Sequence, residues 1–199
     1  MGFFDEVIDD AWLVASARPR SVPEWCRPPG DVRGAPVPTS VDLVRCRDLA
    51  VWIGNPVAYP TGISFELHIR WQLPRRVAPP FLPGRAGRNG LCLGAQTDEG
   101  QRLLAIRIPK LLRMPEQPGP VLAVSGARHD DDRAIVALWL WAPVGESLTW
   151  VFEWRAQRVV ETRVAFSLAA FRQAGVQAER LWRGNPRERL TVASGARAG

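Results

Sequence analysis

Lysine is nearly missing from this chain. Lys110 is the only one among 26 basic residues, so the other twenty-five are arginines, and histidine occurs only twice. With the abundance of Ala, Gly, Pro, Val and Trp, this skew reads as the codon bias of a GC-rich genome. Cysteine is scarce as well. Cys26, Cys46 and Cys92 are odd in number and have no CxxC spacing, which excludes both a disulfide framework and a zinc site of the usual kind. No stretch approaches the roughly twenty apolar residues of a membrane-crossing helix. The opening MGFFDEVIDDAWLVASARPR has acids where a secretory signal has its basic region. Glu6 stands where the myristoylation pattern needs Ser or Thr. These absences make cytoplasmic residence without membrane attachment the expectation.

Catalytic signatures are missing too. There is no GxSxG, no P-loop, no GxGxxG after a strand and no HExxH. No internal repeat is visible, and no strand–helix–strand alternation suggests a doubly wound nucleotide fold. What is present is ordinary for a globular chain: 199 residues, 46% apolar and 23% charged, enough for one domain with a single core. The net charge of +6 raises the question of nucleic acid, since arginine's planar fork suits phosphate. The arginines are dispersed, however, with local groups at Arg75, Arg76, Arg85 and Arg88 and from Arg180 to Arg189.

Three regions follow from the pattern. Residues 1–40 read as a short helix and a proline-rich arm. Phe4, Val7, Ile8, Ala11 and Trp12 share one helical face, and six prolines between Ala17 and Ser40 forbid continuous helix or central strand. Trp25 is the expected anchor of the arm. Residues 41–183 carry the β signal, and 184–199 read as a polar tail. LAVWI closes at Gly54-Asn55-Pro56, and AYPTG supplies a turn. ISFELHIRW then alternates cleanly, with Phe65, Leu67, Ile69 and Trp71 on one side and Glu66, His68 and Arg70 on the other. LCLGAQT and QRLLAIRIP flank a tight turn at Asp98-Glu99-Gly100. Long loops are expected from Pro74 to Gly90 and from Pro109 to Asp132. Leu168, Phe171, Ala174, Ala178, Leu181 and Trp182 form the apolar stripe of a helix starting at Ser167. The fold class is therefore mainly β: an antiparallel sandwich of about eight strands, jelly-roll-like or immunoglobulin-like, with a C-terminal amphipathic helix.

The segment ALWLWAPVGESLTWVFEW, residues 137–154, packs four of nine tryptophans into eighteen residues. Parity divides it into two neighbouring strands. Trp139 and Trp141 oppose Leu138 and Leu140, so that strand is covered on both faces. Trp150, Phe152 and Trp154 share one face against Val151 and Glu153 and should point inward. Rings of this size, at about 25 cal/mol per Å² of buried apolar area, make Trp71, Trp139, Trp141, Trp150, Phe152, Trp154 and Trp182 candidate core.

Few residues qualify for chemistry. His129, Asp130 and Asp132 are the one cluster with metal-ligand chemistry, but they lack the spaced oxygens, turn glycine and distal Glu of a calcium loop, so a solvated acidic loop is the expectation. Glu66 and Glu153 are candidate paired carboxylates, which would have to converge in a cleft. Cys46 lies between arginines without an assignable histidine, Cys92 between leucines reads as buried, and His68 reads as exposed. No cofactor is expected.

The run WLWAP, a short Gly-containing turn, LTWVFEW, a strand and a helix ending AERLW is similar to the C-terminal half of a group of uncharacterised actinobacterial proteins. AYPTGISFELHIRW resembles their earlier strand. PVGES in place of a double-proline turn, and SGARHDDDR in place of a glycine run, depart from that pattern. The resemblance implies a lineage and structural motifs, and no activity. The expected function is a non-catalytic protein-interaction or assembly module, with a protein partner or self-association. The alternatives are arginine-mediated nucleic-acid binding and a metal-dependent enzyme built on His129 to Asp132.

Overall fold

The computed structural model describes residues 23–73, 90–111 and 119–182. A 3-10 turn at Glu24–Cys26 is followed by two short strands, β1 (Val32–Arg33) and β2 (Ala35–Pro36). Then come β3 (Val41–Arg45), β4 (Leu49–Tyr59), β5 (Gly62–Trp71), β6 (Leu91–Thr97) and β7 (Arg102–Arg107). A single helical turn, α1 (Ile108–Leu111), precedes β8 (Val121–His129), β9 (Arg133–Trp141) and β10 (Ser147–Trp154). A second 3-10 turn, β11 (Val159–Ser167), α2 (Ala169–Val176) and β12 (Glu179–Arg180) complete the described chain. The protein is mainly β, as its alternation predicts.

Ten strands form one curled sheet in the order β11-β10-β6-β7-β8-β9-β5-β4-β2, with β3 also paired to β4. The sheet is mixed, because β7 and β8 run parallel. That pairing departs from the purely antiparallel expectation, and its cause is the connection. Residues 108–120, including α1, are long enough to carry the chain back to the same end, as a parallel pair requires. β7 also switches partners along its length. Leu103 and Leu104 pair with β6, while Ala105 to Arg107 pair with β8. It thereby joins two walls whose inner faces meet, in the way strands that change sheets make corners.

The interior is aromatic. Phe65 on β5 meets Trp150 on β10 edge-on at 5.3 Å, and Trp71 meets Trp154 at 6.0 Å. Phe166 and Phe171 close the same cluster from β11 and α2. Every inward residue of the ISFELHIRW alternation is buried, as are Trp150, Phe152 and Trp154. Among the described residues the indole N–H groups of Trp71 and Trp150 have no acceptor, each costing about 1–3 kcal/mol against the larger gain from ring burial.

β9 is fully covered on its inner face and in part on its outer one, where Trp139 is buried but Ile135, Ala137 and Trp141 are half-buried. Trp141 is thus a groove-wall residue, not the core residue its parity suggested. On β9, Leu138 and Leu140 enter the main core, whereas Trp139 joins a separate cluster with Cys26, Leu111, Val121 and Ala123. The cover is small: the first 3-10 turn and α1. Trp25 does anchor the arm, lying edge-on to Trp141 at 6.5 Å. The Trp139 indole donates to the Glu24 carbonyl at 3.0 Å.

Five expectations are corrected. The stretch from Pro109 to Asp132, expected as a loop, carries β8, which pairs with β7 and β9. β9 and β10 are not partners: β9 pairs with β5 and β8, and β10 with β6 and β11, so the tryptophan-rich segment crosses from one wall to the other. The LAVWI strand does not stop at Gly54-Asn55-Pro56. It continues through a bulge, with Asn55 at φ 48°, so that Val51 and Ile53 point inward before it and Pro56 and Ala58 after it. The C-terminal helix ends at Val176, and Glu179–Arg180 is drawn into an antiparallel pair with β1. That diversion leaves Trp182 56% exposed, not core. Cys92 is exposed, because Leu91 and Leu93 take the inward parity on β6. Among the described residues no helix is long and apolar enough to cross a membrane.

Candidate functional site

At one end of the sheet a groove of about 650 Å³ runs between the β4–β5 hairpin, the end of β9 and α2. The AYPTG turn makes one bank. Tyr59 and Gly62 pair directly across Pro60-Thr61, and a Cβ on Gly62 would sit 2.4 Å from the Leu140 carbonyl, so only glycine lets this hairpin close on β9. The facing bank is α2. Gly175 brings the helix close enough that a Cβ would lie 3.1 Å from the Tyr59 carbonyl. At the end of β9, Ala142 takes φ 47° and donates its N–H to the Thr61 carbonyl at 2.9 Å. A left-handed alanine of this kind costs about 1–3 kcal/mol and persists only where the surroundings hold it.

The groove is lined chiefly by Tyr59, Ile63, Trp141, Leu168, Phe171 and Val176. Val176 is 88% exposed, at the end of a helix that buries Phe171 and Gly175. Arg172 is the only charged lining residue among those described. Its guanidinium reaches Glu146 Oε1 at 2.5 Å and the Gly145 carbonyl. The same turn is held from below: Asp98 Oδ2 accepts the backbone N–H groups of Glu146 at 2.6 Å and Ser147 at 3.2 Å. Those bonds, the Glu146 amide first, hold the Asp98 carboxyl below its ordinary value of 3.8. Asp98, Glu146 and Arg172 thus link the β9–β10 turn to α2 at the rim. Among the described residues no His, Cys, Asp, Glu or Lys lines the groove, which leaves Tyr59 as the one lining residue of a general acid–base type.

A second constellation lies on the outer face of β4, β5 and β8. His68 stacks on Trp52 with ring centroids 4.8 Å apart and planes within 4°. Its Nε2 approaches Glu66 Oε2 at 3.2 Å, and Asn55, held by the bulge, donates to the same carboxylate at 2.7 Å. Arg128 meets Glu66 Oε1 at 3.2 Å. The His68 side chain is only 14% exposed, which corrects its reading as a solvated strand histidine. Burial pushes its imidazole below the ordinary value, with Glu66 opposing and Arg128 adding to the effect. Each charged member has its counterpart, and none of the cavities described here includes His68 or Glu66.

The other sequence candidates are dispersed. Asp130 pairs with Arg133 at 2.5 Å and Asp132 with Arg70 at 2.9 Å, so two of the three carboxylates of the His129 loop face arginines instead of one another. Among the described residues no group of three potential ligands could hold a metal ion. Glu66 and Glu153 lie on the outward faces of opposite walls, and Glu153 pairs with Arg155 at 2.7 Å, so the two carboxylates do not converge. Cys92 sits in a shallow depression of about 220 Å³ on the outside of β6 and β10, while Cys46 is exposed with its thiol 3.4 Å from the Leu49 carbonyl. Arg75, Arg76, Arg85 and Arg88 lie outside the described residues.

The groove escaped the sequence reading because its walls come from three distant segments. The signal available was AYPTG, read there only as a turn. Comparison with family models, curated proteins and solved structures finds no match to this chain.

Proposed function

We propose that this protein is a non-catalytic protein-interaction module of the cytoplasm, and that the end groove is its docking site. The observation that carries this reading is the groove wall: aromatic and aliphatic, open to solvent, and with no carboxylate, imidazole or thiol among the described residues. Such a surface favours the apolar face of a peptide segment, in the manner of a helix laid in a groove. The chain's net charge of +6 favours a segment whose polar side is acidic, while Arg172 on the rim is already paired with Glu146. The resemblance to uncharacterised actinobacterial proteins adds a lineage to this reading, and no chemistry.

Labelled fourteen-residue amphipathic peptides with either an acidic or a basic polar face test it by fluorescence anisotropy against the full chain. The acidic peptide should bind in the micromolar range and more tightly than the basic one. Val176→Asp should weaken binding by about tenfold or more, since it places a repelling charge on the groove while leaving the core untouched. Binding indifferent to this substitution would sink the proposal.

A further inference from the structure

We infer that the resting occupant of this groove is the chain's own N-terminal segment, Phe3 to Val14, which an external partner must displace. The inference rests on the groove being a peptide-docking site and adds the identity of its ligand. Three observations lead to it. The first is where the described chain begins. The Glu24 carbonyl is held by the Trp139 indole at 3.0 Å, and the Trp25 ring lies against Trp141, a residue of the groove wall. The described chain therefore begins at the groove's flank. The ten residues from Ala15 to Glu24 reach at most about 35 Å, ample for a return to a site beside their anchor.

The second observation is the pattern of the segment. Phe4, Val7, Ile8, Ala11 and Trp12 recur at helical spacing, and the remaining face carries Asp5, Glu6, Asp9 and Asp10. A twelve-residue helix is about 18 Å long and marginal by itself in water, so it needs an apolar surface to form on. The third is charge. Residues 1–14 contain four acids and no Lys or Arg, which leaves 26 basic side chains against 16 acidic ones in the rest of the chain. The segment is thus complementary in pattern to the apolar floor and in charge to the basic remainder of the chain. A tether of this length supplies an effective concentration of about a millimolar, so a weak intrinsic affinity keeps the groove filled.

A photo-crosslinking residue, p-benzoylphenylalanine, placed at position 176 of the full chain tests this directly. Val176 is 88% exposed, so the fold tolerates the replacement. Irradiation should give a product of monomer size whose tryptic digest joins the helix peptide Gln173–Arg180 to the peptide Met1–Arg20. A dimer-sized product joining the same peptides would overturn occupancy within one chain in favour of exchange between copies. A digest with no link to residues 1–20 would overturn it outright. A second full-length variant, Phe4→Asp with Ile8→Asp, should lose the crosslink. It should also bind the acidic peptide about tenfold more tightly than the parent does, as expected if the groove is some nine-tenths occupied at rest. If the double variant binds that peptide no better while Val176→Asp still abolishes binding, the groove reading stands and this inference fails. If Val176→Asp has no effect on peptide binding, both fail.

Discussion

The tryptophans of β9 and those of β10 are drawn from one short stretch of sequence and end in opposite surroundings. On β10, Trp150 and Trp154 enter the main interior and touch Phe65 and Trp71 of β5. On β9, Trp139 and Trp141 turn outward and are roofed by a 3-10 turn and a single turn of helix. The same residue type therefore does two jobs. In the interior it joins two walls of sheet. Outside, it fastens the incoming arm to the sheet beside the groove.

The comparison can be broken by substitution. Trp150→Ala removes a fully buried ring from the junction of the two walls, and denaturant unfolding should show a loss of about 3–5 kcal/mol or failure to fold. A loss below about 1 kcal/mol would mean that the walls do not depend on this contact. Trp139→Phe keeps an aromatic ring but removes the bond to the Glu24 carbonyl, and should cost about 1–2 kcal/mol. Hydrogen exchange should then quicken in Glu24–Cys26 and α1 ahead of β5 and β10. Equal acceleration across both walls would erase the distinction between roof and interior.

The smallest effect concerns the turn that links β9 to β10. Asp98 has a folded pKa below its ordinary 3.8, so its contribution to stability is fully present above that value and is lost as pH falls through the lower, folded value. Asp98→Asn removes this dependence. The stability curves of parent and variant should separate near neutrality and converge in acid, measured as denaturation midpoints from pH 7 to pH 2. Parallel curves would show that the Glu146 and Ser147 amides do not depend on the charge.

Much of the fold was legible in the sequence where a strand has one wet side. The alternation of β5, the turn at Asp98-Glu99-Gly100 and the inward face of β10 all follow from parity, and Gly100 does take φ 87°. What parity misses is set by partners. The bulge at Asn55 reads locally as a strand end, because Gly-Asn-Pro is ordinary turn chemistry and only pairing with β5 on one side and β3 and β2 on the other carries the strand onward. Trp182 has helical spacing, yet β1 recruits Glu179 and Arg180 before the helix can extend to it. His68 shares its face with Glu66 and Arg70, and its burial beneath Trp52 depends on a neighbour sixteen positions away. The groove was illegible for the same reason, since Tyr59, Trp141 and Phe171 are brought together only by closure of the hairpin and docking of α2.

The partner switch along β7 also bears on how the chain finds its fold. β7 forms a local hairpin with β6 through the turn at Gly100, but its other half waits for the crossover and for β8, and β6 itself acquires β10 only after some fifty further residues. The β6–β7 hairpin can form within microseconds, while the distant pairings must close long loops first. Refolding should therefore proceed on a scale of milliseconds to seconds, with the two walls uniting late and an intermediate wall edge exposed to other chains in the meantime.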